Sequence, residues 1–210
     1  MIRAASTSGR RGRPRKIASP DDLLAAALRV FSEKGFAAAR LDDVAREAGV
    51  SKAALYLYFE SKQAIFEALV RSAVLPNVER FERLVTEWRG SAADLLKNVV
   101  RAIAGIVVQS ELAAFPKLII AEASNFPDLA RFYRGAVVER VLGVLASIIR
   151  RGVETGEFRP TDPNLAARLV IAPMLFTALW KTCFARYDEK PFDPAPLLEL
   201  HVDTLLRGLA

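Results

Sequence analysis

The segment that decides the fold is residues 41–59, which read LDDVAREAGVSKAALYLYF. Within it, the small Ala45 lets a second helix approach the first closely, and Gly49 can take the left-handed conformation that ends the first helix. Ser51 supplies a hydroxyl that can cap the helix that follows, at about residues 52–58. This order of residues predicts a helix-turn-helix.

The second helix of the motif has an outer side suited to reading DNA. That side carries Lys52, Ala53, Ala54, Tyr56 and Leu57. Small residues there allow close approach to base edges, as in a recognition helix that lies in the major groove. An ordinary helical hairpin explains Ala45 and Gly49 equally well, but it leaves the lysine and the two tyrosines, Tyr56 and Tyr58, without a purpose.

Helices are predicted on both sides of the motif. Apolar residues recur at three- and four-residue spacing, and no run alternates with a period of two. An acceptor side chain followed by proline marks three helix starts, Ser19-Pro20, Asp162-Pro163 and Asp193-Pro194. The long helices are expected near residues 20–34, 61–88, 91–109, 163–186 and 194–208, with a further one that begins at Asn125-Phe126-Pro127 and is ended by Gly152 and the Gly156 turn. The predicted fold is therefore all-α, with about nine helices.

The composition divides the chain into three parts. Residues 1–16 hold six basic side chains and no acidic one, whereas the rest of the chain holds 24 of each sign. Residues 17–66 alternate short helical stretches with tight turns, and residues 67–210 hold long, apolar-rich helices. We expect a basic arm, a helix-turn-helix domain and a larger helical body. A basic arm on a neutral protein is a common device for binding nucleic acid, although many such tails are only solvated.

The composition also excludes several classes of protein. With 210 residues, 52% of them hydrophobic, the chain can bury a core, and no uninterrupted apolar run reaches the length of about 18 residues that a membrane span needs. The first residues lack the apolar region of a secretory signal, so we expect a cytoplasmic protein. A single cysteine, Cys183, and a single histidine, His201, cannot form a Cys/His zinc site. No metal or cofactor is expected.

Two other function classes fit the sequence less well. An enzyme is disfavoured because the chain has no Gly-x-Ser-x-Gly motif, no phosphate-binding glycine-rich loop and no carboxylate cluster with metal-ligand spacing. A helical adaptor that binds other proteins through its body would leave the helix-turn-helix and the arm unexplained. A DNA-binding protein without enzymatic activity is favoured over both.

Residues 20–66 resemble the DNA-binding domain of the tetracycline-repressor (TetR) family of bacterial transcriptional regulators. The residues that carry the resemblance are ALRVF (27–31), GF (35–36), AGVS (48–51), LYLYF (55–59) and SK (61–62). By this resemblance, Tyr56 and Lys62 contact DNA phosphates, whereas Lys52 and Ala53 face base edges. Repression of transcription is the family's usual action.

Two departures from the family pattern affect the expected contacts. Ala39 and Arg40 stand where the family usually has threonine and a second hydroxyl residue, so the usual cap is absent and Arg40 can contact a phosphate instead. Ala53 and Ala54 replace the usual glycine and threonine, so the operator sequence cannot be taken from relatives. The full set of expected DNA contacts is Arg11, Arg13, Arg15, Arg40, Ser51, Lys52, Ala53, Tyr56, Leu57, Tyr58 and Lys62.

The basic arm contains its own short motif. Residues 11–15, RGRPR, resemble the core of an AT-hook, in which glycine and proline keep the backbone thin enough for the minor groove while arginines read its narrow, negative floor. Phosphate attraction alone is the alternative. Either interpretation gives the arm a part in DNA binding.

The family resemblance also implies a homodimer on a palindromic operator, because two recognition helices related by a two-fold axis read two half-sites. The dimer contact is expected from two long helices of each subunit. Its candidate residues are Val141, Leu145 and Ile148 on one helix, and Leu165, Leu169, Ala172, Phe176 and Leu179 on the other. These stripes could equally be intramolecular core.

A small effector molecule that binds the body and releases DNA is the last implication of the resemblance. The candidate lining residues are Phe81, Trp88, Phe115, Phe132, Tyr133, Met174, Phe176 and Trp180, with Phe126, Cys183 and Phe184 as further possibilities. Few ionisable groups lie among them, which favours an apolar, cationic or aromatic effector over an anionic one.

Overall fold

The computed structural model describes residues 19–109 and 111–210, and this part of the chain is helical throughout, with no strand. The predicted arm over residues 1–16 lies outside the described residues. The α-helices are α1 Pro20–Lys34, α2 Leu41–Glu47, α3 Lys52–Tyr56, α4 Lys62–Leu69, α5 Leu75–Glu87, α6 Ala92–Gln109, α7 Ala114–Glu122, α8 Pro127–Tyr133, α9 Glu139–Glu154, α10 Pro163–Leu179 and α11 Ala195–Leu209.

Two pairs of these helices are continuous. A π-helical turn, Val70–Val74, joins α4 to α5, and a second, Arg134–Val138, joins α8 to α9. A third π turn, Trp180–Phe184, extends α10. The described residues therefore form nine helical rods, and the prediction of an all-α fold with about nine helices is confirmed.

Two of the three predicted helix starts have the expected caps. The Ser19 hydroxyl accepts a hydrogen bond from the Asp22 amide at 3.2 Å, and the Asp22 carboxylate accepts one from the Ser19 amide. The Asp162 carboxylate accepts from the amides of Asn164 and Leu165. At α11 the capping position is held by Pro194, but the Asp193 carboxylate still accepts from the Ala195 amide at 3.0 Å.

Of the two glycines predicted to end the helix that begins at Pro127, Gly156 is confirmed and Gly152 was wrong. Gly152 does not end its helix, because α9 continues to Glu154 and the turn is made by Gly156, whose φ is +76°. Gly152 is buried inside the helix, where the Phe158 ring lies against its Cα; a Cβ at residue 152 would come within 2.1 Å of that ring. This glycine is needed for a close approach rather than for a turn.

Two hydrophobic clusters form the core. The first holds the buried faces of α1 to α4 together with residues of α7 and α8, including Phe31, Phe36, Phe66, Phe115 and Tyr133. The second lies among α6, α9, α10 and α11. The helix-turn-helix therefore shares its core with part of the body.

The two predicted dimer stripes have opposite environments. Leu145 and Ile148 on α9 are fully buried in the second cluster, so for these two residues the alternative of intramolecular core is confirmed and the subunit contact was wrong. On α10, Leu165, Leu169 and Phe176 are 63%, 68% and 55% exposed. With the exposed Ala172 these three residues form one stripe, here called the α10 stripe.

Among the described residues, Pro163–Tyr187, which comprises α10 and the turns after it, is long and apolar enough to cross a membrane by length and composition alone. The stretch contains Pro173 and Arg168, and its buried face, including Val170 and Met174, packs against α6 and α9. A helix packed in this way is typical of the core of a globular protein.

Candidate nucleic-acid interface

Helices α2 and α3 form the predicted helix-turn-helix. The turn between them is made by Gly49, whose φ of +70° lies in the region that glycine favours. The Ser51 hydroxyl accepts a hydrogen bond from the Ala54 amide at 3.2 Å, and Leu55 is completely buried under the helix. Helix α3 ends at Tyr56, two residues before the predicted end, and the amides of Tyr58 and Phe59 in the turn after it both donate to the Leu55 carbonyl.

The outer side of α3 and the turn after it form an exposed surface. Lys52 and Ala53 are exposed, and so are Tyr56, Leu57 and Tyr58, at 47%, 84% and 48%. Exposed large apolar side chains in a row mark an interaction site. The structure thus brings the predicted contacts of α3 together on one face.

Lys52 is held in place before any ligand arrives. Its ammonium lies 2.8 Å from the Asp42 carboxylate of α2 and 5.9 Å from the centroid of the Tyr56 ring. The hydrogen bond that Lys52 donates to Asp42 raises the pKa of Lys52 above its ordinary value. Lys52 must exchange this carboxylate for a DNA acceptor if it is to contact bases.

Two cations of α1, the helix that packs against α2, are paired as well. Arg29 lies 2.7 Å from Glu47, and Lys34 lies 2.9 Å from Asp43. The hydrogen bond from Lys34 holds the pKa of Asp43 below its usual value. These pairs leave the motif little free positive charge to attract phosphates.

The Arg40 side chain differs from those of Lys52, Arg29 and Lys34. It stands at the N-cap of α2, where no side chain caps the helix, as predicted from the missing hydroxyl; the Arg40 amide instead donates to the Asp43 carboxylate at 3.3 Å. The exposed Arg40 guanidinium makes no hydrogen bond or ion pair with any residue in the described ranges. Arg40 is thus available for the phosphate contact predicted for it.

Lys62 has a structural role that the sequence did not reveal. Its ammonium donates to the carbonyls of Phe36 at 2.8 Å and Ala37 at 2.9 Å, and it lies 4.7 Å from the Phe36 ring centroid. The Lys62 donors are therefore used to hold residues 35–39, the turn between α1 and α2, here called the junction turn. The phosphate contact of Lys62 stays a prediction.

Glu122 holds the same turn from the body. Its buried carboxylate accepts a hydrogen bond from the Ala37 amide at 2.9 Å and another from the Asn125 side chain. The Phe126 ring packs edge-on against Phe36, with centroids 4.9 Å apart. Sequence reasoning missed this contact because 85 residues separate Glu122 from Ala37 and neither position belongs to a motif.

The body contains an apolar cavity of about 400 Å³ among α6, α7, α9 and α10. Its lining includes Ile103, Ile119, Tyr133, Leu142 and Ile171, with Arg168 at the exposed edge. A side pocket of about 80 Å³ shares Ile103, Tyr133 and three other residues with it. Burial raises the pKa of the Tyr133 hydroxyl far above its usual value.

Three of the predicted ligand residues line these two spaces: Phe81 and Phe115 in the side pocket and Tyr133 in both. The other five lie elsewhere. Met174 is fully buried in the core, and Phe132 packs under Arg71. The Trp88 indole donates to the Ser91 carbonyl, the Trp180 indole donates to Asp188, and Phe176 is exposed on the α10 stripe.

The further possibilities fall outside the apolar cavity too. Phe126 packs at the junction turn, whereas Cys183 and Phe184 lie in the π turn after α10. A larger groove of about 930 Å³ separates α6 from α11, but its edge is crossed by the Arg101–Glu199 ion pair at 2.7 Å. The apolar cavity, whose described lining holds a single charged residue, is therefore the candidate that better suits an apolar small molecule.

Comparison with known proteins agrees with this geometry. The profile "Bacterial regulatory proteins, tetR family" matches residues 23–69, and the profile "AefR-like transcriptional repressor, C-terminal domain" matches residues 94–206. The fatty acid metabolism regulator protein of Bacillus subtilis is 23% identical over 188 residues, which cover 89% of this chain and 93% of that protein.

Solved structures show the same fold. FadR from Bacillus subtilis, in complex with stearoyl-CoA, aligns with a TM-score of 0.71 and 22% identity over 91% of this chain and all of that one. The TetR family regulator PfmR from Thermus thermophilus aligns with a TM-score of 0.72 and 29% identity over 90% of this chain and 98% of that one. Since the two matching profiles together span the helix-turn-helix and most of the body, this chain belongs to the TetR family of bacterial transcriptional regulators.

Proposed function

We propose that this protein is a cytoplasmic, homodimeric repressor that binds a palindromic operator through α3 and is released by a small molecule bound in its body. The observation that carries the proposal is the exposed row Tyr56, Leu57 and Tyr58 beside Lys52, which has no apolar partner to cover it within the described chain. A recognition helix presents such a surface to the major groove.

The α10 stripe supports the dimer. Leu165, Leu169, Ala172 and Phe176 follow one another at spacings of three and four residues, so they lie on one face of a long helix. A second copy of the same face would cover them around a two-fold axis, and the two recognition helices would then meet two half-sites of one operator.

The apolar cavity supports an effector site. Its volume of about 400 Å³ falls in the range of small-molecule pockets. FadR from Bacillus subtilis, which has the same fold, has been crystallised with stearoyl-CoA, a molecule with a long apolar chain. Helix α7 lines the cavity through Ile119 and holds the junction turn through Glu122, so it connects the two sites physically.

Tyr56→Ala should weaken operator binding by about ten- to a hundredfold, because it removes an exposed ring and hydroxyl from the DNA-facing side without opening the core. The measurement is fluorescence anisotropy on DNA from upstream of the protein's own gene, with competitor DNA in excess. Tyr187→Ala is the matched control, because Tyr187 is 71% exposed but lies in the body.

Wild-type protein is expected to bind this DNA saturably and more tightly than competitor, and the Tyr187 variant should match it. Equal binding by the Tyr56 variant would count against α3 as the reading surface. Lys62→Ala is unsuited to the comparison, since it also frees the junction turn that the Lys62 ammonium holds.

Deleting residues 1–16 should make operator binding less sensitive to salt. The arm holds six basic side chains, whereas the described cations Arg29, Lys34 and Lys52 are paired with carboxylates. Each phosphate that a cation neutralises contributes about −0.9 to the slope of log affinity against log salt, so the slope should flatten by several units. Anisotropy titrations at several salt concentrations measure the slope, and an unchanged slope would exclude arm contacts with DNA.

A further inference from the structure

Among the described residues that line the apolar cavity, a single one is charged, Arg168 of α10. Its guanidinium is exposed at the cavity edge and makes no hydrogen bond or ion pair with any other residue that the structure describes. Leaving aside the side chains of residues 107–111, no aspartate or glutamate of the described part of the chain lines the cavity or its side pocket. An uncompensated guanidinium beside an apolar cavity is complementary to an anion that carries an apolar chain.

We propose that the effector is an acyl-chain amphiphile, with its chain in the apolar cavity and its anionic head group on Arg168. This inference rests on the proposed function and specifies the chemistry of its effector. It reverses the expectation from sequence that an anionic effector is disfavoured. That expectation arose because few ionisable groups lie among the candidate lining residues, and Arg168 was not one of those candidates.

The apolar chain and the anionic head group of the ligand belong at opposite ends of the cavity. The deep end of the cavity is bounded by Ile103 and the buried Tyr133, and it continues into the side pocket towards Phe81 and Phe115. A charge placed there would lose its hydration without a partner of opposite sign. Among the described lining residues, Arg168 alone offers a positive charge, and it lies at a solvent-exposed edge, so the head group is placed at that edge.

The position of Arg168 also places the head group near the proposed subunit contact. Arg168 is the residue before Leu169, and Ala172 belongs both to the cavity lining and to the α10 stripe. An anion bound at Arg168 would therefore lie beside the face through which two copies are proposed to meet. Its arrival would change the charge at the edge of that face.

The test is calorimetric titration of the full chain, without DNA, with four 12-carbon probes: dodecanoate, dodecanoyl-CoA, dodecanol and dodecylammonium. We expect dodecanoate or its CoA thioester to bind at least about tenfold more tightly than the alcohol and the amine, because a charge-assisted hydrogen bond forms only with the anion. The tighter of the two anions shows whether the source is a free acid or a carrier-bound one.

Arg168→Gln should reduce anion binding by about tenfold and leave dodecanol binding unchanged, whereas Arg168→Lys should keep part of the preference. Arg159→Gln, at an exposed arginine in the loop after α9, is the control and should bind all probes as wild type does. Tighter binding of the alcohol or amine, an unaltered Arg168→Gln profile, or no binding of any probe would overturn the proposal.

A second measurement separates this proposal from the proposed function. The same probes are added to the protein–operator complex and anisotropy is followed. Release by the anion that binds in calorimetry supports both proposals. Calorimetric binding without release would leave the ligand class standing and contradict ligand-released repression, whereas release by the amine in place of the anion would contradict the ligand class alone.

Discussion

A Leu169→Asp variant should sediment at the mass of a single chain and bind its operator at least about a hundredfold more weakly than wild type. Leu169 is 68% exposed in the middle of the α10 stripe. In the proposed dimer the new carboxylate would meet apolar side chains of a second copy, and it would lose its hydration without a partner. A monomer has one recognition helix and so loses half of the operator contacts.

Sedimentation velocity and anisotropy on the operator measure the two effects. Leu200→Asp is the matched control, because Leu200 on α11 is 63% exposed but lies away from the α10 stripe. Circular dichroism should show the same helix content for both variants. A dimeric Leu169→Asp variant would show that the subunit contact lies on another face of the protein.

Phe66→Ala should lower the free energy of unfolding by about 3–5 kcal/mol, the usual cost of removing a buried aromatic ring. Phe66 is fully buried on α4, and its ring packs against Phe36 from the helix-turn-helix side and against Phe115 and Tyr133 from the body. The ring therefore joins contacts from both parts of the protein. Its loss should weaken both together.

Chemical denaturation followed by circular dichroism measures this loss. Phe192→Ala, at a phenylalanine that is 38% exposed between α10 and α11, serves as the comparison and should cost much less. A single transition that moves to lower denaturant is expected for Phe66→Ala. Two separate transitions would mean that the helix-turn-helix and the body unfold independently, contrary to their shared cluster.

Local signals in the sequence were sufficient for the helices and the motif. Ser19, Asp162 and Gly49 act through their own backbone neighbours, so each could be interpreted from a few adjacent residues. Gly152 was wrongly predicted to end a helix. A glycine is needed at this position because the Phe158 ring occupies the space that a side chain would need. A glycine that makes room and a glycine that ends a helix are identical in sequence.

The dimer face could not be predicted from the sequence alone, because the sequence does not show which apolar faces are covered within the chain. The apolar residues of α9 and of α10 recur at similar helical spacing, yet Leu145 is fully buried and Leu169 is exposed. Helix α10 is apolar on more than one side, so its core face covers the body while another face remains open. Periodicity identifies an apolar face but does not identify what covers it.

The candidate sites were predictable only where a motif carried them. The exposed face of α3 follows from the helix-turn-helix pattern, whereas the roles of Lys62, Glu122 and Arg168 depend on residues far away in the chain. Lys62 holds carbonyls 25 and 26 residues earlier, and Glu122 holds an amide 85 residues earlier. Such contacts are decided by tertiary structure and leave no local trace.

The shared cluster around Phe36 and the carboxylate of Glu122 affects how such a regulator can be re-engineered. A foreign helix-turn-helix joined to this body would bring a different junction turn, and the buried Glu122 carboxylate would lose the hydrogen bond that it accepts from the Ala37 amide. Cutting the chain at the end of α4 would also divide the ring contacts of Phe66. A chimera that exchanges operator specificity must therefore include α7 and the turn after it together with the helix-turn-helix domain. The segments to be exchanged are then discontinuous in sequence.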